Sequence, residues 1–213
     1  EMPGRSAKEI LAQMVPAGAA KFPWPKAMRW GAGKTTWVRP LHSIVCLLDG
    51  KVVPFAIEDI ESGRKTRGHR FHGNEPFEVK DAADYRRGLR SHKVILDAAE
   101  RAALIGEQAR ALAKEHKLAL VEDETLLAEN AGLTEWPTVL MGSFEATFLS
   151  VPAECLMLSM KQHQKCFALK HPRSGGLANR FLLVSNLLAK DGGQEIIAGN
   201  ERVIRARLAD AKF

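Results

Sequence analysis

Apolar positions recur at intervals of three and four in some stretches of the chain and at intervals of two in others, and the switch between these periods lays out the elements. Ser6 to Val15 places Ile10, Leu11 and Met14 on one helical face, which predicts a short amphipathic helix stopped by Pro16 and Gly18. Phe22 to Gly31 is too rich in proline for regular structure, so its aromatics are expected to fold back as a packed loop. Ser43 to Leu48 and Lys51 to Ile57 read as two strand arms joined at Asp49-Gly50, the strongest local hairpin signal, with Pro54 marking an edge or bulge. Thr66 to Phe71, Phe77 to Val79 and His92 to Ile95 read as further strands. Asp81 is placed to cap a helix through Leu89. Asp97 is placed to cap a long one to about Lys114, with Ala98, Ala102, Ile105, Ala109 and Leu112 on its apolar face.

In the second half, Leu118 to Val121 is a short apolar run and Asp123 to Glu129 is helical. Thr138 to Met141 is a strand, with Phe144 to Phe148 pairing nearby. Pro152 suits the first position of a helix to about Met160. Lys165 to Leu169 and Phe181 to Val184 read as strands joined by a loop that holds Gly175 and Gly176. A last helix runs around Asn200 to Leu208, with Asn200 as N-cap and Glu201 and Arg205 one turn apart. The interleaving lacks the regular rhythm of a doubly wound sheet, and no internal repeat is present. The expected class is α+β, mixed and mostly antiparallel, as one domain over residues 1–213 with room for sub-lobes.

Composition narrows the setting. The 213 residues are 46% hydrophobic and 26% charged, ordinary for a globular chain able to bury a core without staples. The three cysteines, Cys46, Cys155 and Cys166, are widely spaced and odd in number, which points to a reducing compartment and a cytoplasmic location. No apolar run is long enough to span a bilayer, so no membrane partner is expected. Glu1-Met2-Pro3-Gly4 lacks the pattern of a signal peptide. Ala209-Asp210-Ala211-Lys212-Phe213 comes off a helical pattern without a stop, so both ends read as cut from a longer chain. A net charge of +6 and a pI near 9.3 are compatible with a polyanion such as RNA, and equally with none.

Three clusters can carry chemistry. Arg64-Lys65-Thr66-Arg67-Gly68-His69-Arg70-Phe71-His72 is the densest in cations. On a strand, Arg64, Thr66, Gly68 and Arg70 share one face and Lys65, Arg67, His69 and Phe71 the other, with Gly68 allowing close approach of a ligand or backbone. It reads either as a phosphate-contacting surface or as a charged edge strand protected from aggregation. Met160-Lys161-Gln162-His163-Gln164-Lys165-Cys166-Phe167 sets a histidine between two glutamines and two lysines. His163 is either a general acid or base, or a histidine satisfied at a helix-to-strand junction. In Asn200 to Arg207, Arg202 and Arg205 form either a basic helix face on RNA or an ion-pair face with Glu201 and Asp210.

Two further patterns fail on their context. His69 and His72, like His163 and Cys166, stand three apart, but that spacing on a strand points to opposite faces and no Cys-x-x-Cys pair is present, so no metal is expected. Gly31-Ala32-Gly33-Lys34-Thr35-Thr36 is close to the end of a phosphate loop, yet lacks the earlier glycine, the buried strand before it and the helix after it.

Several strings together resemble the beta subunit of the bacterial, two-subunit type of glycyl-tRNA synthetase. They are Phe22-Pro23 with Met28-Arg29-Trp30, Arg39-Pro40, Thr66 to Phe71, Glu135-Trp136-Pro137, Val151-Pro152 with Glu154, Met160 to Lys165, Val184-Ser185-Asn186, and Gly199 to Leu208. Cys166 departs from the pattern, standing where this family is expected to carry an aromatic residue. The resemblance implies an internal fragment of the N-terminal to middle region, ahead of an anticodon-binding part. It implies an enzyme of two alpha and two beta subunits that joins glycine to its tRNA with ATP, magnesium and a glycyl-adenylate. The alpha subunit binds ATP and magnesium, while this fragment holds no cofactor or metal and no catalytic residue. The expected partners are the alpha subunit and glycine tRNA, with no DNA. The fold is similar in kind to the editing-type domain of the phenylalanyl-tRNA synthetase beta subunit.

The fragment is therefore expected to be a noncatalytic tRNA-binding or assembly module, with Arg64, Lys65, Arg67, His69, Arg70, Lys161, His163, Lys165, Arg202 and Arg205 as its tRNA-facing residues. An editing-type hydrolase of mischarged tRNA, with His163 nearest the chemistry, and a pure scaffold on the alpha subunit are the alternatives. Glycine is the smallest amino acid, so a tight pocket rejects larger ones sterically and editing is less needed.

Overall fold

A computed structural model describes residues 4–211; residues 1–3 and 212–213, on which the reading of cut ends partly rests, lie outside the described residues. The chain divides into two compact units between His92 and Lys93.

The first unit opens with α1 (Ala7–Ala20). Ser6 and Glu9 form a reciprocal capping box, Ser6 Oγ accepting from the Glu9 amide at 3.3 Å and the Glu9 carboxylate from the Ser6 amide at 3.1 Å. The helix runs through Pro16 rather than stopping there. The ring removes one amide donor, and the alanines that follow favour continuation. Ile10 and Met14 of its apolar stripe are exposed. Phe22 and Trp24 of the expected aromatic loop pack with Trp37 beyond it, ring centroids being 4.5 Å (Phe22–Trp24) and 4.9 Å (Trp24–Trp37) apart.

Six short strands follow: β1 (Ile44–Val45), β2 (Leu47–Leu48), β3 (Lys51–Val52), β4 (Ala56–Ile57), β5 (Ile60–Gly63) and β6 (Lys65–Thr66). Asp49 and Gly50, at φ 49° and 72°, join β2 to β3 as the two left-handed residues of a type I′ turn, as the Asp-Gly pair predicts. Pro54 breaks the second arm, and the Ser62 hydroxyl bridges the gap by accepting from Phe55 N and donating to Val53 O. The β1–β5 pair is parallel; β4–β5, β2–β3 and the β6 pair with β7 (Phe77–Glu78) are antiparallel. Asp81 caps α2 (Ala82–Ser91), accepting from Asp84 N at 2.7 Å. The strand expected over His92 to Ile95 does not form: His92 closes α2, and Lys93 turns left-handed at φ 60°.

The second unit is a helix–sheet–helix sandwich. Its elements are α3 (Ala98–Glu115), β8 (Ala119–Leu120), α4 (Glu124–Leu133), β9 (Thr138–Ser143), a short 3-10 helix (Ala146–Ser150), α5 (Ala153–Gln164), β10 (Phe167–Lys170), β11 (Leu177–Ser185) and α6 (Gln194–Asp210). The sheet is antiparallel in the order β8-β10-β11-β9. Strand alternation sends Phe167, Leu169 and Leu182 toward Ile105, Ala109 and Leu126 of α3 and α4. The opposite face sends Ala168, Phe181 and Leu183 toward Leu156, Met160, Ile204 and Leu208 of α5 and α6. Phe144 to Phe148 does not continue the sheet. Phe144 keeps one ladder bond to Asn179 O, and the chain then coils into the 3-10 helix. The last helix starts six residues before Asn200, because the Asp191 carboxylate gathers the amides of Gly193 and Glu195, both at 2.9 Å. Asn200 lies inside the helix and donates to Ile196 O.

The edge strand β9 is closed by side chains rather than by another strand. The Gln108 amide accepts from Val139 N at 3.0 Å and donates to Pro137 O at 3.4 Å, standing in for a peptide unit, while Glu201 accepts from Ser143 N at 2.7 Å. Across the ladder Phe181 faces Gly142, where a Cβ would meet the ring at 2.5 Å. Gly142→Ala is expected to destabilise the protein by about 1–3 kcal/mol through overpacking in chemical denaturation, whereas the same change at Gly132, beside which nothing stands within 4 Å, leaves the midpoint unchanged or raised.

Candidate nucleic-acid interface

The cationic string of the first unit is a turn, not the strand its alternation predicts. Pairing ends at Thr66, and the residues up to Pro76 fold around His69 before β7 begins. The reason lies in Gly68 and Gly73, which press onto the backbone of His92. A Cβ on Gly68 would stand 2.4 Å from His92 O, and one on Gly73 2.3 Å. Gly68 does admit a close backbone, but an internal one. His69 N donates to that same His92 O at 2.9 Å, Gly73 N to His69 O at 2.9 Å, and Gly68 N to Gly73 O at 3.1 Å. The His69 ring is fully buried, and its Nδ1 accepts from the amides of Phe71 and His72 at 3.1 and 3.3 Å. That places the ring proton of the neutral form on Nε2. His69 thus builds the turn from inside, while Lys65, Arg67, Arg70 and Phe71 are exposed around it. Arg64 donates to Gly50 O, Arg67 to Asn74 O, and Lys65 stands 3.9 Å from Glu78, all at the surface.

The helix that ends at His92 carries more cations, which the pattern of motifs did not single out. Arg86, Arg87 and Arg90 of α2 are exposed, and Arg87 makes a loose 3.4 Å pair with Asp84. They contribute to an uneven distribution of charge between the units. Residues 1–92 hold sixteen Lys and Arg against ten Asp and Glu, and residues 93–213 hold fifteen against fifteen. The whole net charge of +6 therefore belongs to the first unit.

Of the cations expected in the second unit, Lys161, Lys165 and Arg205 face carboxylates of the same unit. Lys161 Nζ meets Asp123 Oδ2 at 2.6 Å, and Asp123 also caps α4 through Leu126 N at 2.9 Å. The lysine bond, followed by the amide, holds the Asp123 carboxyl below its ordinary range. Lys165 ends α5 in a left-handed conformation and pairs with Glu129 at 2.8 Å. Arg205 pairs with Glu145, and Glu201 with Ser143, so neither meets the partner that helix spacing predicts. Arg202 is exposed. His163 is exposed too, on an open cavity of about 410 Å³ shared with Cys155, Ser159, Gln162, Arg207 and Asp210. Cys166 lies in the core, where burial pushes its thiol up to about 12. Two other strings meet each other: Asn186 Oδ1 accepts from the amides of Glu135 and Trp136 at 2.8 and 2.9 Å.

The loop that stops short of a phosphate motif does hold an anion, its own. The Glu58 carboxylate accepts from Lys34 N at 3.0 Å, Thr35 N at 2.8 Å and the Thr35 hydroxyl. A Cβ on Gly33 would meet that carboxylate at 2.8 Å.

Over residues 1–213 the chain matches the family model described as the glycyl-tRNA synthetase beta subunit. It is 49% identical over 217 residues to the glycine–tRNA ligase beta subunit of Ruegeria sp. (strain TM1040), covering 100% of this chain and 31% of that relative. It is 48% identical over 215 residues to the glycine–tRNA ligase beta subunit of Paracoccus denitrificans (strain Pd 1222), covering 99% of this chain and 31% of that relative. The chain thus spans about a third of the length of the curated relatives it matches.

The Glu58 contact has a pH signature. The Thr35 hydroxyl first, then the Thr35 and Lys34 amides, hold the carboxyl below its ordinary 4.5. A depressed folded-state value means the contact is in place above the ordinary glutamate range and is lost as pH falls through the lowered value. Hydrogen exchange at the Lys34 and Thr35 amides, corrected for intrinsic rates, is expected to accelerate as pH falls below 4.5 and to be fast at every pH in Glu58→Ala. Protection that survives Glu58→Ala would show that the carboxylate does not hold the loop.

Proposed function

We propose, for a chain that belongs to the glycyl-tRNA synthetase beta subunit family, that it serves glycine–tRNA ligation as a noncatalytic module that grips tRNA and completes the assembly. The observation that carries this reading is the charge partition. A polyanion draws its binding energy from Lys and Arg that displace its counterions, and the first unit holds the entire net charge of +6. Within that unit, Lys65, Arg67, Arg70, Arg86 and Arg87 present their charge at the surface, where it can meet phosphates.

The second unit supports the assembly half of the reading. It is neutral, and Lys161, Lys165 and Arg205 are turned to Asp123, Glu129 and Glu145. Cations already held by carboxylates release fewer counterions on meeting RNA. In this reading the activation chemistry, with its ATP and magnesium, belongs to the alpha subunit, the substrate is glycine tRNA, and the enzyme works in the cytoplasm.

The test is a salt series of glycine tRNA binding with the full-length protein in its native assembly. Arg86→Ala is expected to weaken binding several-fold at moderate salt and to reduce the slope of log affinity against log salt by about 1. Lys161→Ala is expected to leave that slope unchanged and to lower stability by about 1 kcal/mol or less, since the pair is partly exposed. A slope unaltered by Arg86→Ala together with Arg67→Ala would overturn the assignment of RNA contact to the first unit.

A further inference from the structure

Phe71 stands out among the apolar side chains. At 67% exposure it is the most exposed large hydrophobic among the described residues, and it sits in the hydrogen-bonded turn from Gly68 to Gly73. Its own amide is bonded to the buried His69 ring at 3.1 Å, and so is that of His72 at 3.3 Å. The His72 ring stacks on His69, centroids 4.7 Å apart. The ring is therefore held out in water by a fixed backbone, at the expense of the burial that would otherwise favour it. Its neighbours are cationic. The Arg70 guanidinium lies 5.4 Å from the ring centroid, and Arg67, in the same turn, is exposed and donates to Asn74 O at 2.7 Å. A docking site for an apolar protein surface needs several adjoining hydrophobic side chains. One aromatic face among arginines fits instead a flat π-system linked to a phosphate.

We propose that Phe71 is a stacking platform for an unpaired nucleobase of RNA, presented by the His69-centred turn, with Arg70 and Arg67 meeting the flanking phosphates. This rests on the reading that the first unit grips tRNA, and it adds the kind of nucleotide recognised: one with a free base face, found in single-stranded ends, loops and bulges and absent from a continuous duplex. His69 is a positioning residue, because it acts through the backbone of the turn.

The experiment uses the full-length protein in its native assembly with three probes: glycine tRNA, a single-stranded ribo-oligonucleotide carrying 2-aminopurine, and a blunt RNA duplex of equal length. Phe71→Leu keeps apolar bulk but removes the π face. It is expected to weaken tRNA and the single strand about 10-fold, to leave the duplex unchanged, and to leave the salt slope unchanged because no phosphate contact is lost. Phe71→Trp is expected to restore affinity and to deepen the quenching of 2-aminopurine on binding. The proposal is overturned if Phe71→Leu binds all three probes as the unaltered protein does, if it weakens duplex and single strand alike, or if it alters only subunit association. Should the steep salt dependence and its reduction by Arg86→Ala persist in any of those cases, phosphate gripping stands and the stacking platform alone falls. A salt-independent affinity removes both.

Discussion

The constraint on which most of this architecture depends is that the longest strand, Leu177–Ser185, carries apolar side chains on both faces. Phe181 and Leu183 point one way, Ala178 and Leu182 the other. Neither set can be left in water, so the sheet must be covered twice, by α3 and α4 on one face and by α5 and α6 on the other. The strand's largest ring then needs room beside it, which only a residue without a side chain at position 142 supplies. With helices on both faces, the remaining exposure is lateral, along the edge strands β8 and β9, of which β9 is closed by side chains. There Gln108 and Glu201, one from each helical layer, complete the bonds of Val139 and Ser143. Edge protection is thus a consequence of the same two-sided coverage.

That arrangement also decides where charge can act. Packing α4 and α5 at the sheet brings Asp123 to Lys161 and Glu129 to Lys165, and packing α6 beside the 3-10 helix brings Glu145 to Arg205. Partly exposed pairs of this kind add little to stability. Their larger effect is on the field, since they cancel the cations that the sequence displays most conspicuously in this half. In the first unit sixteen Lys and Arg outnumber ten Asp and Glu, and Lys65, Arg67, Arg70, Arg86 and Arg87 reach the surface.

Signals that act within a few residues were legible in the sequence: the Asp49-Gly50 turn, the caps at Asp81 and Asp97, and the α+β class with mostly antiparallel pairs. Boundaries set by distant contacts were not. Nothing local says that Gly68 and Gly73 must meet His92 and so turn a cationic strand back on itself, whereas the Asp191 carboxylate that starts α6 acts over two to four residues and is a local signal that the expectation of an Asn200 cap passed over. The candidate residues were legible as types and not as roles. Their partners Asp123, Glu129 and Glu145 lie 38, 36 and 60 positions away, beyond any periodicity. The excess of cations in residues 1–92 is legible in the sequence once the boundary at His92 is known, and the three arginines of α2 contribute to it.

The string from Thr66 to Gly73 divides its labour more finely than a basic patch would. His92 is the point where the division is fixed. Its amide closes α2, its carbonyl receives His69 N, and its backbone is the surface against which Gly68 and Gly73 pack. Its ring stacks on Phe77 at 4.3 Å, the residue that begins β7. The arginines of α2 and the turn that holds Arg67, Arg70 and Phe71 are thereby braced against one residue rather than joined by a flexible link. A long cationic side chain on a mobile loop would lose its rotamer freedom on meeting RNA, together with that of the loop. Here the backbone entropy is already lost on folding, so a polyanion meeting this surface would have only side chains left to order. Buried His69 inside the string, and half-buried His92 outside it, hold the backbone from which the exposed members project.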